Sequence, residues 1–427
     1  MSPTSPRSLP GPDDVHRVVL PNGITLLTRS NFNSPSVVVN GYLVSGSLFD
    51  PPEKLGLAYF TAQSLMRGTQ RRSFQEIFNL LESSGATLGF GASVHNTSFG
   101  SRALAEDLPL LFDVISDCLR RPVFPGEQIE RLRAQILTGL AIRNQDTGDR
   151  AELAFDDIIF AGHPYGRPED GHPETIQAIQ LVDLPEFHRH HYGPAGMVIV
   201  VVGAVSSQQV VDTAQRYLGD WVNPDQQAVP VLPAVKPLDQ TYRKHITLPG
   251  KTQADLVMGT LAPRRNSPDY LPLSLGNNIL GQFGMMGRIG DVVREKEGLA
   301  YYASTSLNAW MEAGSWDVSA GVNPANLQKA IDLIVSELRR FVQEPVSVEE
   351  LSDSQANYIG RLPISLESNA GVANALLTLE RFQLGLDYYR RYADMVRAVT
   401  PESILEAARR YLNPDKLVIV SAGPALA

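Results

Sequence analysis

An internal repeat is the feature that most constrains the fold of this 427-residue chain. Residues 115–121 have the sequence ISDCLRR and residues 334–340 have IVSELRR, an offset of 219 positions. Tyr192 and Tyr411 differ by the same offset, and a proline-containing turn and a β-branched run follow each of them. Because two well-separated anchors share one offset, the sequence indicates a duplicated domain.

The segment between the two copies predicts the domain boundaries. Residues 223–240, NPDQQAVPVLPAVKPLDQ, contain four prolines and little periodicity, which is typical of an extended linker. We therefore expect one domain over residues 13–222 and a homologous domain over 241–427. Residues 1–12, which are rich in serine and proline, are expected to form a flexible tail.

Each half shows strands first, then helices, then a final strand. Two β-rich runs flank Pro21-Asn22-Gly23, which is a strong hairpin signal, and a further strand is expected over 36–50. Helices are expected at about 54–67, 74–84, 105–120, 125–145 and 150–160. This order predicts the α+β class: two homologous domains, each an antiparallel-rich sheet with helices packed on one face.

Composition excludes several classes of function. The formal net charge is −9 and the arginine pairs form no basic stripe, so we expect no nucleic-acid partner. No run reaches the ~18 apolar residues of a membrane span, and the N-terminus has no apolar core of signal-peptide length, so we expect no membrane partner. The single cysteine, Cys118, excludes an internal disulfide, and a cytoplasmic location is expected.

Two motifs carry a chemical and a structural interpretation. The glycines of LGQFGMMGRIG (280–290) lack the dinucleotide spacing and a following Lys-Ser/Thr, so close backbone packing is favoured over a phosphate site. His188, His190 and His191 are clustered, but their repeat positions include Arg409 and Arg410. Solvated residues at a helix end are therefore favoured over metal ligands.

Two further segments bear on catalysis. GLAYFTAQSLMRGT (56–69) is a helical segment with no histidine, carboxylate or cysteine. REKEGLAYY (294–302) predicts a helix that ends at Gly298 and enters a strand. Arg294 and Tyr301 would then converge and bind a peptide carbonyl or an oxyanion, although an ordinary helix–strand junction has the same spacing.

Both segments resemble motifs of the pitrilysin-type zinc peptidases, the family that includes mitochondrial processing peptidase. GMMGRIGDVVREKEGLAYY is similar to the second-domain motif, whose Arg and Tyr, seven residues apart, act on substrate; here they match Arg294 and Tyr301. The first-domain motif, Gly-x-Ala-H-x-x-E-H with a closing Gly-Thr, matches this chain only at its frame: Gly56, Ala58, Gly68 and Thr69. The resemblance covers nearly the whole chain and implies a clamshell of two similar α+β domains.

The same resemblance implies that the zinc chemistry is missing. The motif positions hold Tyr59, Ala62 and Gln63, and the position of the third ligand, a glutamate 76 residues after the second histidine, holds Gly139. These residues supply neither an imidazole nor a carboxylate, so we expect no zinc and no other cofactor in this chain. Zinc is expected in a partner subunit that carries H-x-x-E-H.

The main hypothesis is therefore a non-catalytic subunit of a heterodimeric zinc endopeptidase, inactive alone. Its partners would be the homologous zinc subunit and a peptide substrate, and Arg294 and Tyr301 would act on substrate at the partner's zinc. A second hypothesis is a structural or peptide-binding scaffold with no role in proteolysis, which would not need both residues. A third, nucleotide binding through the glycine-rich loop, is the least favoured.

Overall fold

A computed structural model describes residues 9–284 and 287–426. Its contacts cluster into two compact units: Met1–Leu140 with Pro168–Val231 and Pro363–Arg390, and Ala141–Arg167 with Leu232–Leu362 and Arg391–Ala427. Each unit thus takes in a short segment from the other half of the sequence. Of the expected tail, residues 1–8 lie outside the described residues, whereas Pro10 and Gly11 are buried.

The first unit contains a six-stranded sheet of order β1-β2-β6-β3-β5-β4. All neighbours are antiparallel except β2 and β6, which are parallel. Its strands are β1 His16–Val19, β2 Thr25–Ser30, β3 Ser36–Leu43, β4 Thr87–Ala92, β5 Thr97–Leu104 and β6 Val198–Gly203. The predicted hairpin is confirmed: β1 pairs with β2 across a turn in which Gly23 has φ +93°.

The second unit contains a five-stranded sheet of order β7-β11-β8-β10-β9, in which only the β7–β11 pair is parallel. Its strands are β7 Tyr242–Thr247, β8 Ala254–Ala262, β9 Ala300–Ala309, β10 Gly314–Val322 and β11 Val418–Gly423. The predicted α+β class with two homologous, antiparallel-rich sheets is confirmed.

The helices follow the predicted bounds of the first half closely, and 3₁₀ turns replace the ends of two of them. In chain order they are α1 Leu57–Ser64, α2 Phe74–Ser83, α3 Leu108–Arg120, α4 Gly126–Arg143, α5 Thr147–Ile159, α6 Pro173–Ala178, α7 Asp183–His191, α8 Ser207–Leu218, α9 Tyr270–Gly281, α10 Gly287–Gly290, α11 Leu327–Gln343, α12 Val348–Ser365, α13 Asn369–Phe382, α14 Tyr388–Arg397 and α15 Pro401–Tyr411. The repeat is visible in these bounds, because Leu108 and Leu327, which begin α3 and α11, lie 219 residues apart.

Each sheet has one apolar face that forms the core of its unit. Val37 and Val39 of β3 lie in the first core, and Leu256 and Met258 of β8 lie in the second. These residues alternate with others along their strands, as expected when successive side chains point to opposite faces. The helices of the same half cover these apolar faces, as the sequence predicts.

The opposite face of each sheet is covered by a helix from the other half of the sequence. Helix α13 packs on β3 and β6, where Asn374 Oδ1 accepts a hydrogen bond from Asn40 Nδ2 at 2.9 Å. Helix α5 packs on β8 and β11, where the Thr147 hydroxyl donates to the carboxylate of Asp255. Each of these two packing layers therefore contains a polar pair.

Within the described residues, no helix combines the length and the apolar character that a membrane crossing requires.

Candidate functional site

The frame of the zinc-type motif positions helix α1. Asp50 accepts hydrogen bonds from the backbone N–H groups of Gly56 and Ala58, both at 2.8 Å, and so holds the first turn of the helix. Gly56 has φ +92°, and a Cβ there would lie 2.9 Å from the carbonyl oxygen of Asp170. A glycine is therefore required at position 56, whether or not the helix carries zinc ligands.

The three motif positions on α1 carry no metal-binding chemistry. Tyr59 is half-buried, and burial together with the charge of Asp170 raises the pKa of its hydroxyl. Ala62 is 1% exposed and leaves no room for a carboxylate without repacking. Gln63 Nε2 donates a hydrogen bond to the carbonyl oxygen of Phe90 on β4, at 3.3 Å. Gln63 thus ties the helix to the edge strand of the sheet.

The fourth position, Gly139, lies on α4. This helix contacts α1 through Arg133, whose guanidinium carbon lies 5.1 Å from the centre of the Phe60 ring. Gly139 is exposed, and the space around its Cα is open. Helix α4, which would carry the third zinc ligand, therefore lies beside α1, but its residue at that position is a glycine without a side chain.

These residues do not fit zinc. A zinc site needs three or four nitrogen, sulfur or carboxylate ligands in tetrahedral geometry, and the four positions offer a phenol, a methyl group, an amide and a hydrogen. Among residues 9–284 and 287–426, no three His, Cys, Asp or Glu side chains are grouped as a metal ion would require.

The second half shows the same glutamine contact at the position related by the repeat. Gln282, 219 residues after Gln63, donates through Nε2 to the carbonyl oxygen of Thr305 on β9, at 3.0 Å. Both β4 and β9 are edge strands. In each half, therefore, a glutamine at this position satisfies a backbone carbonyl of the edge strand, which is a structural contact.

Arg294 lies in an irregular turn before the edge strand β9. Residues Asp291–Lys296 form a π-helical turn, and Gly298 follows with φ +62°. The N–H of Gly298 donates to the carbonyl of Arg294 at 3.0 Å, which ends the helix where the sequence predicts. The Arg294 side chain is 34% exposed, and its contact within this turn is Glu295 at 3.7 Å.

Tyr301 lies at the start of β9 and is 72% exposed. Successive side chains of a strand point to opposite faces, and Tyr302 points to the face of the sheet that α5 covers. There the hydroxyl of Tyr302 donates to Asp255 Oδ1 at 2.9 Å. Burial and that carboxylate raise the pKa of Tyr302. The two adjacent tyrosines therefore differ: Tyr302 is a structural donor, and Tyr301 presents its hydroxyl to solvent, on the same short segment as Arg294.

The glycine-rich segment packs its backbone closely, as predicted. A Cβ on Gly287 would lie 2.6 Å from both the N of Gly281 and the carbonyl oxygen of Ile279. Two residues of the motif, 285 and 286, lie outside the described residues. Gly287 is thus explained by packing, whereas Gly284 has φ +60° and open space around it, as in a turn. Nucleotide binding gains no support from this segment.

The histidine cluster corrects one expectation. His191 is 8% exposed and stacks on Phe49 with ring centroids 4.2 Å apart, so it is a packed residue and not a solvated helix end. Burial lowers its pKa to about 4. His188 Nε2 bonds the carbonyl oxygen of Leu119 at 2.8 Å. The repeat misled here because the partner of His191 comes from a distant part of the chain.

Cys118 is fully buried, and burial raises the pKa of its thiol to about 12. We therefore expect no reaction with iodoacetamide at pH 8 in the native protein, because the thiolate is the nucleophile. Mass spectrometry of the native and guanidinium-unfolded protein provides the measurement and its control. Rapid modification of the native protein would show that Cys118 is accessible.

The duplicated α+β fold, with an inverted zinc-motif frame in one half and an Arg/Tyr pair in the other, defines a pitrilysin-type architecture. The family profile described as Insulinase (Peptidase family M16) matches residues 25–168, and the one described as Peptidase M16 inactive domain matches residues 178–358. The chain belongs to peptidase family M16.

Relatives of this chain carry peptidase names. An uncharacterized zinc protease of Streptomyces coelicolor is 25% identical over 93% of this chain and 87% of its own length. The mitochondrial-processing peptidase subunit beta of Saccharomyces cerevisiae is 27% identical over 93% and 86%. The crystal structure of a peptidase M16 inactive domain from Pseudomonas fluorescens matches with a TM-score of 0.89 and 26% identity, covering 97% of this chain and 98% of that one.

Proposed function

We propose that this chain is the non-catalytic subunit of a heterodimeric zinc endopeptidase. Its partner is a homologous subunit that carries H-x-x-E-H and holds the zinc. One contrast supports the proposal. The positions of the zinc motif hold Tyr59, Ala62, Gln63 and Gly139, whereas Arg294 and Tyr301 are kept. Arg294 is partly exposed and Tyr301 is largely exposed to solvent.

Tyr301 is the residue of this chain that contacts the reacting group. Its exposed hydroxyl donates a hydrogen bond to the oxygen of the scissile carbonyl, where negative charge develops in the transition state. The edge strand β9 fixes the backbone of Tyr301, and this preorganises the donor. When bound in the partner, zinc supplies the activated water.

Arg294 positions the peptide backbone beside Tyr301. A guanidinium presents several donors in a planar fork and stays charged at every relevant pH, which suits it to bind carbonyl groups. Recognition through the backbone tolerates many sequences, and the substrate is an extended peptide. The net charge of −9 favours neutral or basic peptides. A cytoplasmic location is part of this proposal and agrees with a single, buried cysteine.

Purification of the affinity-tagged chain from its native host tests the proposal. We expect a second M16 chain with an intact H-x-x-E-H motif to copurify, and zinc to follow that chain after the two are separated. Zinc analysis and cleavage of an unstructured, basic peptide are measured for each chain alone and for the mixture. Activity is expected only in the mixture.

Two results would contradict the proposal. Stoichiometric zinc together with chelator-sensitive cleavage in the isolated chain would show that it is a peptidase by itself. Copurification with proteins other than an M16 zinc subunit, without peptidase activity in the complex, would favour the scaffold hypothesis.

A further inference from the structure

A buried arginine fixes the segment that leads to Arg294 and Tyr301. Arg288 lies on the short helix α10, immediately before the π-helical turn Asp291–Lys296. Its side chain is only 11% exposed. A charge this deeply buried needs partners on several sides, so its contacts show what the segment is attached to.

Helix α12 provides the first attachment. Arg288 Nε and Nη2 donate to the two carboxylate oxygens of Glu350, both at 2.6 Å. Glu350 also accepts from the N–H of Ser347 at 2.8 Å and so caps the start of α12. The Arg288 guanidinium is the main cause that lowers the pKa of Glu350 to about 2, so the pair is fully charged at neutral pH. A two-point fork of this kind fixes direction as well as distance.

Helix α11 provides the second attachment. Arg288 Nη1 lies 3.6 Å from Oε1 of Glu337, which is 5% exposed. Arg340 approaches the other oxygen of Glu337 at 3.2 Å. The guanidinium carbon of Arg288 also lies 5.8 Å from the ring centre of Phe341. A single side chain therefore joins α10 to both α11 and α12.

The backbone of this segment needs such an attachment. Gly287 and Gly298 stand on either side of it with φ +63° and +62°, a region that glycine enters at low cost. Between them the helix is π-type, which leaves fewer regular hydrogen bonds to fix its direction. Ile289 and Val293 are fully buried and anchor the segment in the core. Apolar contacts, however, do not fix the rotation of the segment about its own axis as a forked ion pair does.

We infer that Arg288 is a positioning residue, which holds Arg294 and Tyr301 in their working orientation through Glu350 and Glu337. This inference rests on the proposed function, because it assigns Arg294 and Tyr301 a role in catalysis. Arg288 does not itself bind substrate, since its guanidinium is buried and its fork is occupied by Glu350. Arg288 affects turnover by fixing the position of the π-helical turn, which carries Arg294 and leads to Tyr301.

The test combines Arg288→Lys with Tyr301→Phe in the reconstituted heterodimer. Lysine keeps the charge but loses the fork, so we expect kcat to fall roughly tenfold with KM nearly unchanged. The double variant is expected to be no slower than Tyr301→Phe alone, because a misplaced tyrosine and a missing hydroxyl remove the same interaction. Glu350→Gln, which weakens the other side of the fork, should reproduce the effect in milder form.

Arg340→Lys is the matched control, because it also contacts Glu337 but is half-exposed on α11. Hydrogen exchange of the chain alone should become faster at residues 287–299 in Arg288→Lys and stay unchanged in Arg340→Lys. Multiplicative losses in the double variant, or unchanged exchange, would overturn the positioning role. Full activity of Tyr301→Phe would overturn the proposed function and the positioning role together, whatever the exchange shows.

Discussion

Replacing Tyr301 with phenylalanine lowers kcat of the reconstituted heterodimer by roughly 10² to 10³, the usual effect of removing one preorganised oxyanion donor. KM should change little, because the hydroxyl contacts charge that develops only in the transition state. The substitution removes one oxygen atom from a side chain that is 72% exposed, so the free energy of unfolding should stay constant. Steady-state cleavage of a fluorogenic peptide measures both parameters.

Two controls separate catalysis from assembly. Tyr242→Phe removes the same atom from a tyrosine on β7, the opposite edge of the same sheet, and should leave kcat unchanged. Size-exclusion chromatography should show equal heterodimer formation for both variants. If Tyr301→Phe keeps full turnover in an intact heterodimer, the oxyanion role is wrong, and the scaffold hypothesis gains support.

Much of the first half could be predicted from local patterns. The hairpin at Pro21-Asn22-Gly23 and the helix α4 depend on turn chemistry and apolar periodicity over a few residues. These features need no knowledge of distant contacts, and the structure confirms them.

The packing of α5 could not be predicted in the same way. Its sequence shows an apolar face, but nothing in the sequence states that this face meets β8 and β11 of the other half. The role of Gln63 was hidden for the same reason, since its acceptor belongs to Phe90, on a strand 27 residues further along. The motif spacing identified these positions as lacking zinc ligands, and only the fold explains what Gln63 contacts instead.

The polar layer beneath α5 contains a buried carboxyl group that sequence inspection missed. Asp317 on β10 is 8% exposed, and its Oδ1 accepts hydrogen bonds from Asn308 Nδ2 at 3.1 Å and from Ser315 Oγ at 3.4 Å. Burial is the main cause that raises the pKa of Asp317 to about 7, and the charge of Glu152 on α5 adds to it. Burial and Asp149 in turn raise the pKa of Glu152.

This raised pKa makes stability fall as the pH rises. Unfolded Asp317 loses its proton near pH 3.8, whereas the native carboxyl keeps it until about pH 7. Between these values the native state binds more protons, so the free energy of unfolding decreases with increasing pH and reaches its lower plateau above pH 7. A difference of this size corresponds to roughly 4 kcal/mol at most, from about 1.4 kcal/mol for each pKa unit.

Asp317→Asn should therefore stabilise the protein at pH 8 by about 2 to 4 kcal/mol and change its stability little at pH 4. Asparagine still offers an oxygen to Asn308 and Ser315, and it cannot ionise. Urea unfolding at several pH values, followed by the fluorescence of the neighbouring buried Trp316, provides the measurement.

Two further substitutions make this prediction specific. Glu152→Gln should give a smaller gain with the same sign, because it removes the second cause of the raised pKa and leaves the burial of Asp317 in place. Asp353→Asn, at an exposed position on α12, is the matched control for replacing an aspartate with asparagine. Equal destabilisation by Asp317→Asn at pH 4 and pH 8 would instead mean that the layer beneath α5 requires a charged carboxylate. The packing of α5 would then depend on an ionic contact. The burial of Asp317 indicates instead a neutral carboxyl group that is hydrogen-bonded to its neighbours on β9 and β10.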